Sequence, residues 1–392
     1  RRHTILEALC ASKGEYISGE HLSQTLGITR SAVWKGVDAL RREGYEIESR
    51  TRLGYRLLSM PDTLEPEALA ARLNTAVVGR RILFFDTLDS TNTYAKQAAL
   101  TGGENGLVIL AGQQTGGRGR SGRSFQSPPG KGLYLTALLR PTAAPAAVLP
   151  VTALAACRAI ERICGLRPGI KWTNDLVLDT RKLVGILTEM GVEGETGVLQ
   201  YVAVGIGINL NQTQADFSGA VADMATSLRM VLGRTVSRAE LAVALMEELD
   251  RLYAALLTQD YAPWLAEYRR SCVTLGHPVR ILGSGPERVA YAEEIDDAFG
   301  LGVRYDDGRR ETIRILQANK GDPYAIKIVG TVLYLCPGGN YHLRRRLRYA
   351  ADPAPGNRGE ERLGHGRRNG RLLRHRTMYA RHHRRQCGHL YR

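Results

Sequence analysis

The 392-residue sequence predicts an α+β chain, and three observations carry that expectation. Apolar residues recur at helical spacing between capping residues over the first 60 positions. From about 62 to 260, strand-length and helix-length segments alternate. From 272 to about 316, short apolar-polar alternations are broken by turn residues. In chain order these patterns give a small helical module, a mixed sheet with helices, and a small β-barrel.

In the first module "TILEALCASKG" has helical apolar spacing. "SGEHLSQTLGI" follows with Ser18 as N-cap, Leu22 and Leu26 one turn apart, and Gly27 as the stop. Thr29 caps a third helix, "RSAVWKGVDALRREG", whose buried stripe is Val33, Val37 and Leu40 and which ends at Gly44. "YEIESRTRLGYRLL" then alternates about Gly54 as a two-stranded wing, with Tyr45, Ile47, Tyr55 and Leu57 apolar. A plain three-helix bundle with a hairpin shares this core pattern. The exposed chemistry favours DNA: Thr29, Arg30, Ser31, Trp34 and Lys35 open the third helix, where a recognition helix meets base edges, and Arg50, Arg52 and Arg56 line the wing. A winged helix-turn-helix is therefore expected over residues 1–60, and "MPDTLEPEAL" reads as a linker running into a new helix.

The central unit, expected over 61–268, reads in order as a strand, a Ser/Thr/Asn turn and a helix ("RILFFDTLDSTNTYAKQAALTG"), then a strand ("GLVILAGQQT"), a loop and a strand ("GLYLTALL"). An apolar helix follows ("AAVLPVTALAACRAIERICGL"), then two strands ("LVGILTEM", "LQYVAVGIGINLN") and amphipathic helices. The barrel is expected over 269–318 and an atypical Arg-rich tail over 319–392.

Composition excludes several classes. The longest apolar helical segment is short and contains prolines, so no membrane span is expected, and the N-terminus lacks a signal-peptide pattern. The chain opens on Arg1 rather than Met, so at least one native residue is expected to precede it. Six scattered cysteines without CxxC spacing argue against a zinc site or a disulfide framework and point to the cytoplasm. Of the net charge of +15, residues 320–392 supply +13, from 17 Lys and Arg against 4 Asp and Glu. The bulk charge therefore says nothing about the folded units.

The chemistry lies in four segments. In "GGRGRSGRSFQSPPGKG", Arg118, Arg120 and Arg123 stand among glycines between two strands, where neither a flexible linker nor an RNA-binding tail belongs. A loop that holds a phosphate or carboxylate does. "DSTNTYAKQ" sets Ser90, Thr91 and Asn92 at a helix mouth, suited to a polar ligand head, although Ser90 also serves simply as an N-cap. "KWTNDLVLDTRKLVGIL" is a hairpin with Lys171, Asn174, Asp175 and Lys182 near its turns, a pattern that solvated hairpins share. "GIGINLN" puts Gly205 and Gly207 where something approaches the backbone closely, without the spacing of a dinucleotide site.

Together and in this order, "DSTN", "QTGGRGRSGR", "KWTND…RKLVGIL" and "GIGINLN" resemble biotin protein ligases. The winged helix in front resembles the bifunctional members that also repress the biotin operon, and the resemblance covers about residues 1–316. It implies a class II synthetase-like ligase domain followed by an SH3-like barrel. The implied reaction joins biotin and MgATP into biotinyl-5′-AMP, then passes biotin to a lysine of the biotin carboxyl carrier domain of a carboxylase. By the same resemblance Lys182, Arg118 and Asp175 are catalytic. Ser90, Thr91, Asn92, Gln114, Arg118, Gly119, Arg120 and Lys182 bind biotin. Gly117, Arg118, Arg120, Arg123, Phe125, Asn174 and Asn209 bind ATP or the adenylate. Mg2+ has no fixed protein site, and adenylate-bound homodimers bind operator DNA, with no membrane partner. Lipoate ligases share the catalytic fold, and a repressor that only senses a small acid is the rival of another class.

Three features depart from the family pattern. Thr173 replaces the proline of "KWPND", and Phe125 stands where tryptophan is frequent. After "RRETIR" the sequence runs on through "ILQANKGDPYAIKIVG" into an Arg- and His-rich stretch without periodicity. That stretch reads as a displaced frame or other non-native extension without a fold, with a basic nucleic-acid arm as the rival.

Overall fold

A computed structural model describes residues 2–12, 14–119, 123–142, 145–193, 198–281, 288–314, 316–319, 322–328 and 334–335. The chain opens with helices α1 (Arg2–Ala11), α2 (Gly19–Leu26) and α3 (Arg30–Arg42), then the antiparallel strands β1 (Glu46–Arg50) and β2 (Gly54–Ser59). The caps are as the sequence places them: Ser18 Oγ accepts from the His21 amide, Thr29 Oγ1 from the Ala32 amide, and Gly27 closes α2 in the left-handed region. Ile5, Leu9, Leu22, Val33, Val37 and Leu40 form one buried core. Gly36 lets α1 approach α3, since a Cβ there would stand 2.3 Å from Ile5 Cδ1.

A short helix, α4 (Pro66–Ala70), leads into a seven-stranded mixed sheet. Its elements are β3 (Ile82–Leu88), α5 (Thr91–Leu100), β4 (Leu107–Gln114), β5 (Leu133–Leu139), α6 (Pro145–Cys164), β6 (Gly169–Lys171), β7 (Asp175–Leu178), β8 (Arg181–Val192) and β9 (Leu199–Ile208). The strand order is β3-β4-β5-β9-β8-β7-β6, with only β3 and β4 parallel. Helices α7 (Val221–Met224), α8 (Leu228–Leu232), α9 (Arg238–Leu257) and α10 (Ala262–Ser271) follow.

Alternation along the strands divides the two faces of the sheet. Val108, Leu110, Leu135, Val204 and Ile206 belong to the large core that includes α6 and α9. Leu107, Ile109, Leu138 and Ala203 pack with Ala95 and Ala99 of α5 on the other face. On that second face the side chains of β9 and β8 shrink toward one end of the strands, through paired rows Leu138–Ala203–Glu189, Thr136–Gly205–Leu187 and Tyr134–Gly207–Gly185. The shallow floor so produced is where the site lies.

The linker is fastened to α9 at both ends. Asp62 Oδ1 accepts from the Ala239 amide (2.8 Å) and Ser237 Oγ (2.9 Å) at the helix N-terminus, and Asp250 accepts from the amides of Ala76, Val77 and Val78, each at 2.8 Å. Leu64 and Leu69 join the large core, while Ala68 and Ala71 pack against the winged-helix core.

The last module is a sheet of β10 (Pro278–Ile281), β11 (Arg288–Ile295), β12 (Leu301–Arg304) and β13 (Arg310–Ile313). Strands continue past the expected boundary at 318. β14 (Leu316–Asn319) pairs with β15 (Asp322–Ile328) as a two-stranded sheet of its own, and β16 (Tyr334–Leu335) pairs with β10. The period-two apolar pattern of "DPYAIKI" suits a strand. The rest of the expected tail lies outside the described residues.

Candidate active site

The segments "DSTN" and "QTGGR" meet because the chain after β4 is stitched to the end of β3. The Thr115 amide donates to Leu88 O (2.9 Å) and the Gly116 amide to Asp89 O (2.8 Å). Ser90 caps α5, and the Thr91 amide donates to Gln114 Oε1 at 2.9 Å, tying the helix mouth to the loop. The flanks of the glycine-arginine loop then pair with each other. Phe125 N donates to Gly117 O at 2.9 Å, and a bridge joins Arg118 to Ser124. Gly117 is required there, since a Cβ would lie 2.5 Å from Phe125 O.

These segments enclose a cleft of about 490 Å3, open mouth included, over the shallow floor. Ser90, Thr91, Asn92, Gln114, Arg118, Gly119, Phe125, Asn174 and Lys182 all line it, as do Gly185, Leu187, Gly205 and Gly207. The two glycines of "GIGIN" admit named partners. A Cβ on Gly205 would stand 2.1 Å from Asn92 Oδ1, and one on Gly207 would stand 2.6 Å from the Phe125 ring. Phe125 also meets Tyr134 edge-on at 6.4 Å, and Tyr134, whose phenol burial pushes upward, donates to Pro128 O at 3.0 Å.

At the other wall Lys182 Nζ lies 2.7 Å from Asp175 Oδ1, an ion pair without hydrogen-bond alignment. Burial pushes the Lys171 ammonium below the usual lysine range; Asp175 opposes that shift, and Lys182 and Arg123 add to it. Lys171, Lys182 and Arg123 thus bring positive charge to this wall, which an anionic ligand would meet. The Trp172–Thr173 peptide is cis, at the position where the family pattern has Trp-Pro.

Other expected residues sit differently. Asp175 is not among the lining residues and pairs with Lys182, which is. Asn209 is buried behind the cleft, its Nδ2 3.5 Å from Lys182 O and its amide donating to Leu183 O at 3.0 Å, so it supports the strand carrying Lys182 and is not among the lining residues. Gly117 acts through the loop backbone, and Arg123 is felt electrostatically at Lys171. Arg120 lies outside the described residues.

Behind the cleft is a polar cluster that sequence reasoning missed. Asn92 Nδ2 donates to Leu187 O (3.1 Å) and Glu189 Oε2 (2.9 Å), and Lys96 Nζ meets Glu189 Oε1 at 2.6 Å. Thr136 Oγ1, fully buried, lies 2.7 Å from Asn92 Oδ1 and 2.8 Å from Thr91 Oγ1. The one available signal was a threonine inside an otherwise apolar strand.

On the winged helix, Thr29 is engaged as a cap with Ser31 Oγ 3.0 Å from its hydroxyl, Arg30 pairs with Glu20, and Trp34 and Lys35 are exposed. In the wing, Glu48 pairs with Arg50 and Arg56. Both guanidiniums lie over the Tyr16 ring, at 5.5 and 4.8 Å, and the Tyr16 hydroxyl donates to Glu48 at 2.6 Å. Arg52 holds the turn at φ 69°. Among the described residues no group of three or more His, Cys, Asp or Glu is placed to hold a metal, and no helix is long and apolar enough to cross a membrane.

Cleft and fold define a ligase domain behind a helix-turn-helix module. Residues 84–209 match the biotin/lipoate A/B protein ligase family, and residues 1–56 match an HTH domain. The chain is 33% identical over 324 residues to the bifunctional ligase/repressor BirA of Bacillus subtilis (strain 168), spanning 82% of this chain and 95% of that protein. It is 30% identical over 306 residues to BirA of Escherichia coli (strain K12), spanning 77% and 92%. The fold is shared with a biotin protein ligase from Aquifex aeolicus in complex with biotin and ATP, with a TM-score of 0.55 at 22% identity over 66% of this chain and 100% of that one. The chain belongs to the bifunctional ligase/repressor family of biotin protein ligases.

Proposed function

We infer that the chain activates biotin with ATP, transfers it to a lysine of a carboxylase's biotin carboxyl carrier domain, and represses biotin genes through its winged helix. The observation that carries the reading is the meeting, in one cleft, of the α5 mouth, the Arg118 loop and Lys182. In the first half-reaction a carboxylate oxygen of biotin bonds to the α-phosphorus of ATP and the bond to pyrophosphate breaks. Two anions must approach, and the ammonium of Lys182, oriented by Asp175, offsets their charge together with Arg118. Ser90, Thr91, Asn92 and Gln114 hold the polar ring of biotin, and Phe125 offers the adenylate a stacking face, with Asn174 beside it and Arg120 and Arg123 on the loop. In the second half-reaction the acceptor amine bonds to the carbonyl carbon, the bond to AMP breaks, and the amine proton passes to the phosphate of the departing AMP; Asp175, paired with Lys182, is the carboxylate we assign to orienting the charges of that step.

Mg2+ would enter with the phosphates and take its oxygen shell from them and from water, without a fixed protein site. Closure of the loop over the adenylate would favour a homodimer, which presents two winged helices to a palindromic operator in the cytoplasm. The test is acid-quenched mass spectrometry of the protein with biotin and MgATP. Biotinyl-5′-AMP is the expected product. A folded protein that makes none, yet binds operator DNA in response to biotin, would instead be a sensing repressor.

A further inference from the structure

Arg41 stands in the last turn of α3, the helix that carries the base-facing residues, and by charge and place it resembles a phosphate contact. Its guanidinium is engaged within the module instead. Nε and Nη2 donate to Ile47 O at 2.9 and 2.6 Å, and Nη2 also donates to Ser49 Oγ at 2.6 Å. Ile47 is buried in the winged-helix core, and Ser49 lies two residues further along β1 toward the wing's turn. A planar fork therefore bridges the end of α3 to the first strand of the wing. Among the described residues, Arg41 makes the side-chain hydrogen bonds that join α3 to β1. Strand β2 is anchored elsewhere. Ile17 and Tyr55 exchange amide-to-carbonyl bonds at 2.9 Å, and a Cβ on Gly54 would stand 2.1 Å from Ile17 O. Between these anchors the wing carries its cations. Glu48 holds Arg50 and Arg56, whereas Arg52, at the turn, has no ion pair among the described residues. One duplex can meet α3 at base edges and the wing at phosphates only if the two are held at a fixed separation.

We propose that Arg41 is a positioning residue for DNA recognition, which sets the wing against the recognition helix and takes no phosphate itself. The proposal rests on the reading of the winged helix as a DNA-binding module. Lysine at this position keeps the charge but not the fork, and glutamine keeps neither. In both variants β1 loses its tie to α3, and the wing swings away from the groove in which α3 lies.

The test is fluorescence anisotropy of the full chain with biotin and MgATP, on a duplex that wild-type protein selects from a random-sequence pool. Arg41→Gln should bind this duplex about tenfold more weakly, and Arg41→Lys should recover little of the loss. A phosphate contact would behave otherwise, because the lysine ammonium still displaces counterions. The sharper readout is a double-mutant cycle with the wing. Arg52→Ala should weaken binding about tenfold in the wild-type background and about twofold or less beside Arg41→Gln, since a displaced wing has little left to lose. Ser49→Ala removes one of the three bonds and carries the test if the Arg41 variants do not fold. It should weaken binding about two- to threefold and lessen the effect of Arg52→Ala. Circular dichroism and an unchanged rate of biotinyl-5′-AMP formation identify the folded variants. A merely structural role for Arg41 would lower the melting temperature and leave the affinity of folded protein unchanged. That result, full rescue by Arg41→Lys, effects that multiply in the cycle, or no effect of Arg52→Ala in the wild type overturns the proposal. Wild-type protein that selects no duplex overturns the DNA-binding reading beneath it.

Discussion

In the cleft, Thr91, Asn92 and Thr136 are at most 5% exposed and their polar atoms are bonded to one another. On the winged helix Trp34 is 55% exposed, and the guanidiniums of Arg30 and Arg50, 68% and 58% exposed, meet their carboxylates in water. The same kinds of group are under opposite constraint. A buried polar atom that loses its partner costs roughly 1–3 kcal/mol, so the cleft's geometry is fixed before a ligand arrives. A solvated ion pair contributes about 0–1 kcal/mol, so the wing can exchange Glu48 for a phosphate with little loss. Rigid pairing suits discrimination between small molecules; loose pairing suits a surface that must engage and leave a polyanion.

The comparison can be broken most severely at Lys182. Lys182→Ala should lower the rate of adenylate formation by roughly 100- to 1000-fold, as loss of a charge-stabilising donor does, with circular dichroism unchanged. A loss below tenfold would move the burden to Lys171 and Arg118. Next comes Gly205→Ala, whose Cβ would press on Asn92 Oδ1. The expected outcome is an increase of about tenfold or more in the KM for biotin and a stability loss of about 1–3 kcal/mol, read by denaturant titration. An unchanged KM would mean that the polar cluster tolerates displacement.

On the surface side the effects should be smaller. Glu48→Gln releases Arg50 and Arg56, so affinity for duplex DNA should rise a few-fold and the salt dependence should steepen by about one counterion per freed cation. Reduced affinity would instead make the Glu48 clamp part of the binding geometry. The smallest effect concerns acid stability. Asp216 is held at about 2 by Lys131 and the Thr213 amide, below its ordinary 3.8. Because the folded value is depressed, its contribution is present above pH 3.8 and is lost as pH falls toward 2. Lys131→Ala should reduce stability at neutral pH and flatten that window, as a thermal melt series would record.

What could be seen in the sequence was whatever local chemistry dictates. Ser18, Thr29 and Ser90 announce helix starts because a side-chain oxygen must satisfy an orphan amide, and all three do so. Gly205 and Gly207 announced a close approach, although not that Asn92 and Phe125 make it. Thr136 and Glu189 stayed hidden because their partners lie 44 and 97 positions away from them, across strands whose register the sequence does not spell out. The glycine-arginine loop was visible from composition, whereas the position of Asn209 behind the cleft was not, because a motif gives order along the chain and not the direction of a side chain. The strands past 318 were hard to see for a different reason: a strong compositional signal downstream outweighed a weak periodic one.

The fastening of the linker to α9 bears on where the molecule can be cut. A ligase fragment beginning at Pro61 keeps Asp62 on the α9 N-terminus and keeps Leu64 and Leu69 in the large core. One beginning after Leu69 removes both leucines and uncovers the helix end, while Asp250 still grips the stump at Ala76. The seam between gene control and enzymology therefore runs on the DNA side of the linker, and the ligase half owns the hinge.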